Sequence, residues 1–152
     1  MNKRVVTALK YWGQEELPNN SGFVDKTFES YMRMIGWSKG QPWCAYFVKL
    51  IVAESGGKVE GLTGGAVNSW KSRQGKPTAD VGDLVYWQNY KDGKPLWSGH
   101  AGIVIRPYKD YFVTIEGNTN DDGSREGVEV AIHVRRYDFA NNNGLRLLGF
   151  VG

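Results

Sequence analysis

Apolar residues recur with two different periods along this chain, and the change falls near its middle. In the first half they fall at helical spacing. Val5, Leu9 and Trp12 share one helical face with Ala8 alongside, and Gly13 closes the segment. Leu17 to Gly22 is dense in turn residues and reads as a loop. Phe23, Thr27, Phe28 and Tyr31 give a second stripe running to about Ile35. The apolar run Ala45 to Ala53 predicts a third helix, opened by Pro42 and closed by Gly56-Gly57. A short helix is expected over 66–72. The second half reads as strands. Asp83 to Gln88 is the first, followed by His100 to Arg106 and Tyr111 to Glu116, then Val128 to Tyr137 and Leu145 to Val151. Helices first and sequential strands after, with short connections, predict an α+β fold. Its N-terminal helices pack on a mostly antiparallel sheet of five to six strands.

The chain has 152 residues, no internal repeat and no linker-like stretch, so one domain over 1–152 is expected. Its 19 basic and 16 acidic residues are interspersed, for a net charge of +3. That balance argues against nucleic acid as a partner and is compatible with an anionic polymer. One cysteine excludes an intrachain disulfide and a zinc ribbon, and two histidines argue against a multi-histidine metal site. No cofactor and no metal are expected. No segment approaches the ~18–20 apolar residues of a membrane span. Lys3-Arg4 before Val5 to Leu9 imitates a signal peptide, but Lys10 interrupts the apolar run too early. The expectation is a monomer made in the cytoplasm without a signal peptide, acting elsewhere after release or delivery by another system.

The chemistry starts from the single thiol. Cys44 follows Pro42-Trp43 in the first turn of the third helix. A helix N-terminus carries unpaired N–H groups and about half a positive charge, which favour thiolate over thiol. A free cysteine is also simply a small apolar side chain, so its partners decide. His100 begins a strand between glycines, which permit close approach of a backbone or a substrate. Glu116-Gly117-Asn118 ends the next strand. With Arg106 facing Tyr111, His100 faces Gly117. A one-residue shift, from a bulge or an odd loop length, puts an acid or amide on the face of His100. Such a group would hold the imidazole in the required tautomer.

Four segments, Gly40-Gln41-Pro42-Trp43-Cys44-Ala45, Gly82-Asp83-Leu84-Val85, Gly99-His100-Ala101-Gly102-Ile103-Val104 and Glu116-Gly117-Asn118, together resemble the CHAP family. These are cysteine, histidine-dependent amidohydrolases/peptidases with a papain-like fold. The resemblance spans about Gly13 to the C-terminus. It implies Cys44 as nucleophile, His100 as base, and Glu116 and Asn118 as the polar third and fourth members. Gly82-Asp83 falls on the family's structural turn, so Asp83 is given no chemistry. The implied reaction is cleavage of an amide bond in bacterial peptidoglycan, as amidase or endopeptidase. A separate cell-wall-binding domain is not expected. Some relatives carry an aspartate-rich calcium loop before the cysteine; here Trp37 to Pro42 holds no acid, and no calcium is expected there.

The proposed chemistry needs donors for a tetrahedral oxyanion, for which the Cys44 backbone N–H and the Gln41 side chain are candidates. Trp43 and Trp97, nearest the motif residues, are candidate cleft walls for substrate. His133 lies in an alternating strand and reads as structural. The spacing Asn118-x-Asn120-x-Asp122-Gly123, then Glu129, approaches a calcium loop. Its first ligand is an amide and its flanks are strands, so a turn is the better reading. A phage lysis enzyme and a secreted antibacterial effector both fit a hydrolase of this kind. A silent wall- or peptide-binding module and a thiol peptidase or transferase acting on proteins are the competing readings.

Overall fold

The computed structural model describes residues 1–119 and 128–152. Among the described residues four α-helices precede five strands: α1 (Lys3–Leu9), α2 (Lys26–Met34), α3 (Cys44–Glu54), α4 (Ala66–Lys71), β1 (Leu84–Lys91), β2 (Lys94–Pro107), β3 (Tyr111–Thr119), β4 (Glu129–Arg136) and β5 (Gly144–Val151). The strands form one sheet in the order β4-β3-β2-β1-β5, and every neighbouring pair is antiparallel. This is the α+β arrangement that the change of period predicts.

The first two helices start where a side chain accepts their unpaired N–H groups. Asn2 Oδ1 accepts from Arg4 and Val5, and Asp25 Oδ1 from Thr27 and Phe28. The second helix therefore begins at Lys26 rather than Phe23, and its inward side chains are Phe28 and Met32. In α1 the buried face is Val5, Thr7 and Ala8; Leu9 is partly exposed and Trp12 lies beyond the helix in solvent. The helix ends at Leu9 after seven residues, so the expected stripe does not reach Trp12.

Seven of the eleven residues of α3 are buried, as expected of a helix at the centre of the molecule. It packs on β2 and β3, with α1 and α2 against it and α4 over β1 and β2. The sheet is covered on both faces. Leu84 and Tyr86 join the large core with Trp43, Phe47, Ile51, Ile103 and Ile115. Val85 and Trp87 point the other way, into a second cluster with Val104, Phe112, Leu147 and Phe150. Burial on both faces explains why β1 opens as a continuous apolar run.

β2 starts six residues before His100. Asp92 and Gly93 both have left-handed φ (51° and 77°), as a two-residue type I′ hairpin requires. The turn pairs Lys91 with Lys94 and Tyr90 with Pro95, extending the hairpin through an exposed stretch in which apolar residues do not alternate. Between β2 and β3 the register runs Pro107↔Phe112, Arg106↔Val113, then Val104↔Thr114 and Ile103↔Ile115. Arg106 therefore faces Val113, not Tyr111. The irregularity between Val104 and Arg106 supplies the one-residue shift that shared facing demands.

Candidate active site

Cys44 is the first residue of α3 and is buried. Pro42 stands one position before the cap rather than inside the helix; the cap is Trp43, whose side chain makes no capping bond. The indole instead fills the core, fully buried, in edge contacts with Phe23, Phe28 and Phe47. This corrects the expectation that Trp43 forms a cleft wall: a helix N-cap packed inward cannot also face substrate.

The end of β3 approaches this corner closely. A Cβ on Gly117 would stand 2.7 Å from the Trp43 ring and 2.8 Å from Phe47 Cβ. Glycine there lets the strand carrying Glu116 lie against the helix carrying Cys44. Gly99 plays the same part for His100, because a Cβ would meet the Trp87 carbonyl oxygen at 2.1 Å.

His100 and Glu116 are both fully buried. His100 Nε2 lies 2.6 Å from Glu116 Oε1. Nδ1 has no hydrogen-bond partner, and the Cys44 thiol interacts with the imidazole. Burial by itself would push the imidazole pKa down. The Glu116 carboxylate and Cys44 outweigh it, and the value is raised to about 9. Burial would likewise raise Glu116, but His100 and Arg135 hold its carboxyl well below the usual carboxylate range. Both directions describe one buried ion pair.

Glu116 has further partners that the sequence reading missed. Thr114 Oγ1 donates to Oε2 at 2.5 Å, Arg135 Nε donates to Oε2 at 2.8 Å, and Arg135 Nη2 donates to Oε1. Thr114 was accessible in principle, since it sits two residues before Glu116 and shares its face. His133, opposite Thr114 on β4, is buried one strand from Glu116, nearer the site than its place in the chain suggests.

A model of the CHAP domain matches residues 36–118, more than half of the chain. The chain belongs to the CHAP family. No curated protein and no solved structure matches it. The family is one of cysteine, histidine-dependent amidohydrolases and peptidases of the peptidoglycan-hydrolase type. All four residues expected to form the CHAP site lie within the matched stretch. Three of them, Cys44, His100 and Glu116, form the contiguous series described above. Asn118 is buried at the irregularity between β3 and β4, with a left-handed φ of 54°. Glu116 rather than Asn118 occupies His100 Nε2. Asp83 is buried in its turn, where it accepts from the Asp80 N–H at 2.8 Å and pairs with Lys76 at 2.9 Å.

A cleft of about 400 Å³ opens at Cys44. Gln41 and Pro42, Tyr46, the segment Thr63 to Asn68, and Trp97 to Gly99 line it with Cys44. Trp97 is 89% exposed and stands on this rim, a large apolar surface with no core to fill. The Gln41 side chain is held by its own loop, its Oε1 accepting from the Ser38 N–H at 2.9 Å. Among the described residues no group of three or more His, Cys, Asp or Glu could hold a metal, and no helix is long and apolar enough to cross a membrane. Asn120, Asp122 and Gly123 of the calcium-like spacing lie outside the described residues.

Proposed function

We propose that this CHAP domain hydrolyses an amide bond of bacterial peptidoglycan by cysteine nucleophilic catalysis. The observation that carries the reading is the buried series Cys44–His100–Glu116 ending at an open cleft. His100 Nδ1 takes the proton of the Cys44 thiol, leaving a thiolate beside an imidazolium. The α3 N-terminus, uncapped by any side chain, and the imidazolium both stabilise the thiolate. Sγ attacks the scissile carbonyl carbon, and the electron pair of the C=O bond moves onto oxygen. The Cys44 backbone N–H and the Gln41 side-chain amide are the proposed donors to that oxyanion. Each such donor is worth ~3 kcal/mol of transition-state stabilisation. The intermediate collapses, the C–N bond breaks, and the imidazolium gives its proton to the leaving amine. Water, deprotonated by His100, then cleaves the thioester.

Glu116 orients the imidazole and stabilises its cation in this scheme, while Asn118 holds the turn that presents Glu116. Trp97 offers an apolar platform for the substrate. The domain acts outside the cytoplasm, as a phage lysis enzyme or a delivered effector. Purified protein is expected to release soluble fragments from bacterial sacculi, and Cys44→Ala to fold but release none. Equal release by that variant would overturn the mechanism. Mass spectrometry of the fragments names the bond: a new alanine amino terminus marks an amidase, a cut within the stem or cross-bridge an endopeptidase.

A further inference from the structure

Arg135 lies on β4, beyond the residues that the CHAP model matches, yet it grips the Glu116 carboxylate by both oxygens. A guanidinium fork fixes a carboxylate in plane and direction as a single bond does not. The same guanidinium sits over the Trp87 ring, 5.2 Å from its centroid. Trp87 in turn flanks His100, with ring centroids 5.6 Å apart. The side chains of Arg135 on β4 and Trp87 on β1 therefore meet although two strands separate them in the sheet, and Arg135 and His100 share one carboxylate oxygen, Oε1.

We infer that Arg135 is a positioning residue of the Cys44–His100–Glu116 series, fixing the Glu116 carboxylate toward His100 Nε2 and balancing its buried charge. The inference rests on the reading of that series as catalytic. With Arg135 cationic, thiol, neutral imidazole, carboxylate and guanidinium sum to zero. Thiolate, imidazolium, carboxylate and guanidinium also sum to zero. The proton can pass from Sγ to Nδ1 without creating net charge in a buried site. Arg135 also opposes the imidazolium across the shared carboxylate, which keeps the proton available to a leaving amine. The titratable and charged groups around this cluster are Cys44 on α3, Tyr86 on β1, Glu116 on β3, and His133 and Arg135 on β4.

The test reads Cys44 directly, since it is the sole cysteine. Its alkylation by iodoacetamide is followed by mass spectrometry across pH, alongside sacculus hydrolysis. The alkylation rate steps once as the thiolate forms and again as the imidazolium loses its proton. Arg135→Gln is expected to move the second step upward by about one pH unit, because a repelling cation is gone. Arg135→Lys is expected to leave that step in place, since the charge remains. Both are expected to slow hydrolysis at least about tenfold, since neither supplies the fork. Coincident profiles and equal rates for wild type and Arg135→Gln would overturn the inference. If Arg135→Gln does not fold, Arg135→Lys decides alone: slowed hydrolysis with an unmoved step supports the inference, and an unchanged rate overturns it. If wild type hydrolyses no sacculi, the substrate reading fails and the alkylation profiles alone decide the role of Arg135.

Discussion

The Glu116 side chain lies over Gly102. A Cβ on Gly102 would stand 2.7 Å from Glu116 Cγ and 3.3 Å from the Ile115 carbonyl oxygen. The pairing Ile103↔Ile115, extended one step, sets Gly102 opposite Glu116, with His100 two residues farther along the same face of β2. The His100–Glu116 contact is thus a diagonal cross-strand pair, and it closes to 2.6 Å because nothing projects from the residue between.

Gly102→Ala is expected to displace Glu116 from His100. An added methyl group against Cγ and a backbone carbonyl costs about 1–3 kcal/mol of overpacking unless the carboxylate moves. Sacculus hydrolysis is expected to fall roughly 100-fold, as misplacement of a catalytic support by an ångström does. Circular dichroism should show the sheet intact. Unchanged hydrolysis would mean that Glu116 is not needed where it stands.

The buried ion pair makes stability depend on pH in a stated direction. The folded pKa of His100, about 9, lies above its ordinary 6.5. Its stabilisation is therefore complete below about pH 6.5 and is lost as pH rises toward 9. Glu116 is shifted the other way, so its contribution is present above the ordinary carboxylate range and is lost only in strong acid. Urea unfolding at pH 6 and pH 9 should show wild type losing on the order of 3 kcal/mol across that interval. In Glu116→Gln the carboxylate that does most to raise His100 is gone and only Cys44 is left to oppose burial, so that loss should shrink. A wild-type slope as flat as that of the variant would refute the ion pair.

Much of this arrangement is legible in the residue pattern. The change from helical to alternating spacing gives the fold, and Cys44 at a helix start beside a His100 hairpin gives two of the three members of the proposed catalytic series. The choice between Glu116 and Asn118 is not legible, because it hangs on the irregularity beside Ile105, which no residue type there announces. Arg135 is hidden for a related reason. It lies opposite Phe112, and its long side chain meets a carboxylate four residues along β3, a contact that strand pairing alone does not announce. Trp43 misleads because nearness in sequence to Cys44 says nothing of which way an N-cap side chain turns.

Asn118 separates conformation from chemistry. Its φ of 54° suits Asn and Gly, and a β-branched residue there costs about 1–2 kcal/mol. Asn118→Gly is expected to keep stability within ~0.5 kcal/mol and hydrolysis within a few-fold of wild type. Asn118→Val is expected to lower the melting temperature and the activity together. A loss of activity in Asn118→Gly as deep as in Glu116→Gln would instead give the amide a direct part in the reaction.

Trp43 and Trp97 are expected to respond in opposite ways. Trp43 is wholly buried among three phenylalanine rings, so Trp43→Ala should cost ~3–5 kcal/mol of stability. Trp97 is 89% exposed on the cleft rim, so Trp97→Ala should change stability by no more than ~0.5 kcal/mol. Its loss should fall on substrate instead. An aromatic platform contributes about 1 kcal/mol to a contact beyond the area it covers, so binding should weaken roughly tenfold with the burial included. That weakening should appear in KM, while the rate of Cys44 alkylation, which uses no platform, stays at the wild-type value. A Trp97→Ala variant with unaltered KM on sacculi would move the substrate to another part of the cleft, which Tyr46 and the segment Thr63 to Asn68 also line.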